Sequence, residues 1–111
     1  MEKIPAKSNV EYIYVLTRED LPQPHRTVQV AHAVLAASVT YGHWNRPHPF
    51  MVVLTVKDET ELNDTFNWLK ESGVPCCGYY EPDMGQALTA VATAPLKQTE
   101  RKRFRKFRLM K

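Results

Sequence analysis

The chain is poor in cysteine and glycine. Its two cysteines, Cys76 and Cys77, are neighbours in a sequence of 111 residues. Adjacent cysteines cannot close an ordinary structural disulfide on each other, so no covalent staple is expected. Unpaired thiols fit a reducing compartment, and a cytoplasmic location is the expectation. The four glycines are scattered, which excludes a glycine-rich phosphate loop. There is no G-x-S-x-G elbow, and Ser8, Ser38 and Ser72 have no setting that would activate a hydroxyl. No apolar run approaches the ~20 residues that span a bilayer. No apolar stretch follows the polar start Met1–Lys7, so neither a membrane anchor nor a signal peptide is expected. Cys76 and Cys77 with His43 and His48 make a poor zinc set, because neighbouring strand residues point to opposite faces. No metal and no cofactor are expected.

Charge is unevenly placed. Residues 97–111 hold eight Lys/Arg against one Glu, a net of +7. Residues 1–96 hold seven Lys/Arg against eleven Asp/Glu, a net of −4, which gives the whole chain +3. A basic segment on an acidic body suggests an anionic partner, nucleic acid first, unless the segment only aids solubility. The length and the ordinary hydrophobic content, 43%, are those of one globular domain, with residues 1–9 flexible and 97–111 a basic C-terminal segment.

The elements follow from composition and spacing. Val10–Thr17 is β-branched and aromatic and reads as a strand. A loop punctuated by Pro22 and Pro24 leads into a helix running to about Thr40, with Pro24 at its start. A loop over 43–49 precedes Phe50–Val56, a continuous apolar run typical of a strand covered on both faces. Asp58 and Glu61 form a capping-box pattern for a second helix, with Leu62, Phe66 and Leu69 as its buried stripe. Gly73 and Pro75 end that helix. Val74–Tyr80 reads as a short third strand, Glu81–Gln86 as a turn and Leu88–Ala94 as a fourth strand. Gln98–Phe107 reads as a short C-terminal helix. The order β-α-β-α-β-β-(α) predicts an α/β fold: a three-layer α/β/α sandwich around a four-stranded mixed sheet, its last strand antiparallel.

The first helix is the informative one. His25, Gln29 and His32 lie at i, i+4 and i+7 and share one face. The other faces are Val and Ala with Leu35, which predicts burial on more than one side. An amide and an imidazole on one face of a buried helix are costly without partners, so the stripe reads as one wall of a site. His32 alone would also suit a satisfied core histidine. Asp83, just before the fourth strand, sits where ligands bind at the edges of α/β sheets. It is also good turn chemistry.

These residues carry a resemblance. The first strand, then Arg18-Glu19-Asp20-Leu21, then Gln29-Val30-Ala31-His32-Ala33, resembles the type-2 peptidyl-tRNA hydrolase family, with its R-x-D-L turn and Q-x-x-H-A helix. An apolar strand, a helix opening at Asp58-Glu59-Thr60-Glu61-Leu62, and Asp83-Met84-Gly85 before Thr89-Ala90-Val91-Ala92 continue the likeness. It covers roughly residues 10–95 and rests on the order of short motifs. The chain is most similar to compact relatives, phage-encoded ones included.

The resemblance implies hydrolysis of the ester between a peptidyl or N-blocked aminoacyl group and tRNA. Asp83 would orient or deprotonate water. His32, His25 or Arg26 would stabilise charge near the scissile ester. Gln29 would orient a neighbour or the terminal adenosine. Asp20 and Thr89 fall at substrate-binding positions, and Arg101 and Arg105 of the basic segment would meet phosphates. Two family positions differ: the loop after Leu21 has no lysine, and Ala87 stands four residues after Asp83, where the family has threonine. An arginine such as Arg26 cannot replace lysine in proton transfer. The alternative is a non-catalytic tRNA-, RNA- or protein-binding module. The apolar first helix also makes a homodimer an expectation.

Overall fold

The computed structural model describes residues 10–42 and 49–111. The expected flexible start and the loop with His43 and His48 lie outside them. The sheet is built on β1 (Glu11–Arg18), whose eight residues become fully buried along their length. β2 (Phe50–Val56) runs parallel to it, pairing Tyr12 with Phe50 through to Arg18 with Val56. β4 (Ala87–Thr93) lies antiparallel on the other side of β1, with Val15 opposite Ala92. β3 (Cys76–Glu81) pairs antiparallel with β4 and forms the outer edge.

The sheet has six strands, not the four expected from the sequence. The additions are two-residue ladders from the basic segment: β5 (Leu96–Lys97) on β1, and β6 (Arg108–Leu109) on β2. Between them Gln98–Phe104 is a 3-10 helix, not the expected α-helix. An α-helix here would set Arg101 over Arg105 and Lys102 over Lys106, like charges at i, i+4. The segment is ordered instead by aromatic anchors: the Phe104 ring lies flat on Tyr14 (centroids 3.9 Å apart) and Phe107 packs against Trp68.

Alternate β1 residues enter two separate cores, as a strand's two faces require. Ile13 and Val15 pack with Ala33 and Ala37 of α1 (Gln23–Tyr41) and with Ala90 and Ala92. Tyr14 and Leu16 pack with Leu62, Phe66 and Leu69 of α2 (Glu59–Glu71), together with Phe104. The expected stripe of α2 is the buried one. Asp58 caps α2, its Oδ1 accepting from the Glu61 N–H at 3.0 Å. Gly73 ends it with φ 78°, a conformation glycine adopts at little cost.

The burial expected for α1 is corrected. Only Gln29, Ala33 and Ala37 are buried, while Val28, Leu35 and Val39 are 50, 63 and 89% exposed. The alanines let one side approach the sheet closely, and the described residues place no second layer over the other side. Among them no helix is long and apolar enough to cross a membrane.

Candidate functional site

The polar groups gather where β1 ends and β4 begins. Thr89 is fully buried, and its hydroxyl donates to Oε1 of buried Gln29 at 2.8 Å. The Tyr79 carbonyl lies 3.3 Å from the same hydroxyl. Thr17 Oγ1 donates to the Thr89 carbonyl (2.9 Å), and Arg18 Nη1 to the Leu88 carbonyl (3.1 Å). The Leu88 N–H donates to Glu59 Oε2 at 2.9 Å. The start of β4 is thereby held from β1, α1 and α2 at once. This network predicts a coupled stability effect. Thr89→Val leaves the Gln29 amide oxygen buried without its donor and should cost roughly 1–3 kcal/mol, whereas adding Gln29→Leu should recover most of the loss. Urea titration of the two single variants and the double variant checks it; additive losses would contradict it.

Asp20 takes part through Arg18. The Arg18 guanidinium donates from Nε and Nη2 to both Asp20 carboxylate oxygens, at 2.9 and 2.8 Å. These bonds hold the Asp20 carboxyl below its ordinary range and raise Arg18 further. A depressed carboxyl contributes stability above its unfolded value, and that contribution disappears as pH falls through the folded one. The Asp20 side chain is 43% exposed, so solvent screening limits the effect to under about 1 kcal/mol. Asp20→Asn should therefore melt lower than the parent at neutral pH, with the two curves converging as pH falls below the ordinary carboxylate range. A gap that persists into acid would assign the loss to something other than charge.

Tyr79 is the feature missed in the sequence. Its ring stacks on His32, centroids 4.4 Å apart and planes within 7°. Partial burial pushes its hydroxyl above the ordinary tyrosine range, and the negative charges of Glu81 and Asp83 push it further. Asp83 is exposed in a 3-10 turn (Pro82–Met84), where its N–H donates to Glu81 Oε1 at 3.4 Å. Gly85 and Gln86 follow, both with φ 64°, and the register between β3 and β4 shifts between Tyr79 and Tyr80. Bulges of this kind re-aim side chains beside sites. The strand pattern hid Tyr79 because aromatics are ordinary strand residues.

The other expected residues separate. His25 is exposed on the first turn of α1. Arg26 lies in a different cleft, with Glu19, Thr55 and Arg108. Arg101 sits over the Tyr12 ring at 4.9 Å, six residues along β1 from Arg18, or ~20 Å away. Arg105 lines the same surface as Arg101, with Gln98, Thr99 and Lys102. These two arginines are not brought to the polar cluster, and Arg108 is held by β6 in the Arg26 cleft. Burial, with Cys77 beside it, pushes the Cys76 thiol up to about 11, which makes it a poor nucleophile at neutral pH. Among the described residues no group of three or more His, Cys, Asp or Glu side chains is disposed to hold a metal ion. Comparison with protein-family models and with curated proteins finds no match to this chain.

Proposed function

We propose that the chain hydrolyses the ester joining a peptidyl or N-blocked aminoacyl group to tRNA. The observation that carries this reading is the group around Tyr79: His32 stacked on its ring, the charges of Glu81 and Asp83 acting on its hydroxyl, and the buried Gln29–Thr89 pair beneath. In the reaction a water oxygen bonds to the ester carbonyl carbon as Asp83 accepts its proton. His32 and the Tyr79 hydroxyl meet the developing oxyanion. The carbon–oxygen bond to the ribose breaks, and the proton returns from Asp83 to the leaving 3′ oxygen. The fold belongs to the same proposal, with α1 and α2 as the outer layers of an α/β/α sandwich.

The second reading is a module that binds tRNA or another RNA without cleaving it. It is favoured by the engagement of Gln29 with Thr89 and of Asp20 with Arg18, which occupies polar groups a substrate would use. Purified chain with N-acetylaminoacyl-tRNA separates the two. Release of the blocked amino acid supports the hydrolase; tRNA binding without release moves the chain to the second reading.

A homodimer through α1 is a separate proposal: His32 lies between Val28 and Leu35 on the same helix face, so pairing there would cover a group the hydrolase reading leaves open to substrate. Val28, Leu35 and Val39 lie at i, i+7 and i+11, and α1 contains no carboxylate. Two antiparallel copies bring Val28 opposite Val39 of the partner copy with no charge opposed, as an isologous contact requires. Light scattering should give twice the chain mass, and Leu35→Glu should return it to the single mass. A wild-type mass of one chain would remove the dimer.

A further inference from the structure

We infer that the cleft between the first turns of α1 and β6 is a phosphate site for a single RNA strand. It uses residues outside the Tyr79 cluster and does not depend on ester cleavage, although its ligand class rests on the RNA reading. The cleft has a volume of about 310 Å³ and is lined by Glu19, Arg26, Thr55, Arg108, Leu109 and Lys111. Three cations face one carboxylate. A second cleft of about 260 Å³ shares Glu19, Thr55 and Arg108 and adds Lys57 and Lys106 with one more carboxylate, Glu61, so cations still outnumber carboxylates across the two. The two form one open, cationic track, suited to an extended polyanion.

Three observations point to an anion here. The Arg26 Nε is buried and has no hydrogen-bond partner among the described residues, and a buried guanidinium N–H without an acceptor is costly. A phosphate oxygen in the cleft would satisfy it. Arg108 is poorly used among the described residues: its side chain is 82% exposed, and its ion pair to Glu19 is long at 4.0 Å. Glu19 is fixed instead by Thr55, whose hydroxyl donates to Oε1 at 2.8 Å. A phosphate can therefore take Arg108 without displacing a close pair. Finally, the first turn of α1 holds no acidic residue and, among the described residues, no side chain caps it, so Glu19 is the one carboxylate lining this cleft at the positive end of that helix. Arginine forks suit phosphate oxygens.

The backbone fixes the pieces in place. Arg108 is opposite Thr55 in the β2–β6 ladder, and the Met110 N–H donates to the Val53 carbonyl at 2.9 Å. Lys106 is held over the Trp68 ring at 3.9 Å. Leu109, 65% exposed beside the cationic groups, offers an apolar surface to a ribose or base.

The test is fluorescence anisotropy of a labelled twelve-nucleotide single-stranded RNA, titrated with the 111-residue chain over a range of salt. Arg26→Gln and Arg108→Gln should each lower the slope of log affinity against log salt by about 0.7, with no fall in melting temperature. Lys102→Gln, on the Tyr12 side, should leave the slope as in the parent. Inorganic phosphate alone at matched ionic strength should compete weakly, because it engages only one position on the track. Parent-like slopes in both arginine variants would overturn the cleft and leave the proposed function standing. Absence of RNA binding by the parent at low salt would overturn both, and tight binding of phosphate without RNA would replace the strand with a small anion.

Discussion

Asp83→Asn is expected to slow hydrolysis of N-acetylaminoacyl-tRNA by a factor of about 10²–10⁴, the range a positioned general base supplies. The substitution keeps size and polarity and removes the ability to accept a proton. Asp83 is exposed on the Pro82–Met84 turn, and its recorded hydrogen bond uses the backbone N–H, not the carboxylate. Stability should accordingly stay within about 0.5 kcal/mol of the parent. Rate and stability are thus separable here, which they are not at Gln29 or Thr89. The loss should fall in kcat, since the proton transfer belongs to the transition state and not to substrate binding. A parent-like rate would show that Asp83 takes no proton, and the assignment of the reaction to the Tyr79 cluster would fail with it. Glu81 is the natural second variant, because its carboxylate also acts on Tyr79.

Phe104→Ala is expected to destabilise the protein by roughly 3–5 kcal/mol, the usual cost of removing a fully buried aromatic ring. Phe104 is 2% exposed and its ring lies parallel to Tyr14 within 5°. For a domain of this size such a loss lowers the melting temperature by roughly 12–20 °C or more. The position of Phe104 adds a second effect. It is the buried residue between β5 and β6, so its removal frees the segment that carries Arg108 to the end of β2. Hydrogen exchange should then show the Met110 N–H, which bonds to Val53, losing protection before the amides of β1. Phe104→Leu should restore most of the stability. A melting shift of only a degree or two would mean that the basic segment is held by something other than this ring.

The elements with strong local signals were legible. Asp58, the Leu62–Phe66–Leu69 stripe and Gly73 specify α2 by capping, periodicity and a terminal left-handed residue, and the helix forms where they place it. The apolar run Phe50–Val56 is β2, but it is covered only toward its end: Phe50 and Met51 are exposed where cover on both faces is expected. The basic segment was not legible, because its structure is set by two rings finding Tyr14 and Trp68, contacts with no local signature. The exposure of α1 was missed for a related reason: Val28, Leu35 and Val39 have the composition of a core, and composition does not say how many neighbours a helix will have. In the candidate site, Gln29 and His32 lie one turn apart on α1 as the spacing predicts and meet Thr89 and Tyr79, while His25 of the same stripe is exposed. Spacing could not foresee Tyr79, which stacks on His32 from β3, or Glu59, which reaches the start of β4 from the first turn of α2; both depend on how the elements pack and not on local pattern.

The place of β1 in the sheet has a consequence for how the chain is made. β1 precedes both of its main partners, and β2 is the first to follow it. Once Val56 has emerged from a ribosome, β1, α1 and β2 can already associate. The other edge of β1 must wait for β4, the 37 residues from Lys57 to Thr93 later, which at ordinary elongation rates is roughly 2–8 seconds. During that interval the backbone groups of Val15–Thr17 are open on one side, and an open apolar strand edge is a template for pairing with another chain. The nascent chain therefore passes through a window in which crowding on a polysome favours misassociation, and a slower codon stretch over α2 would lengthen it.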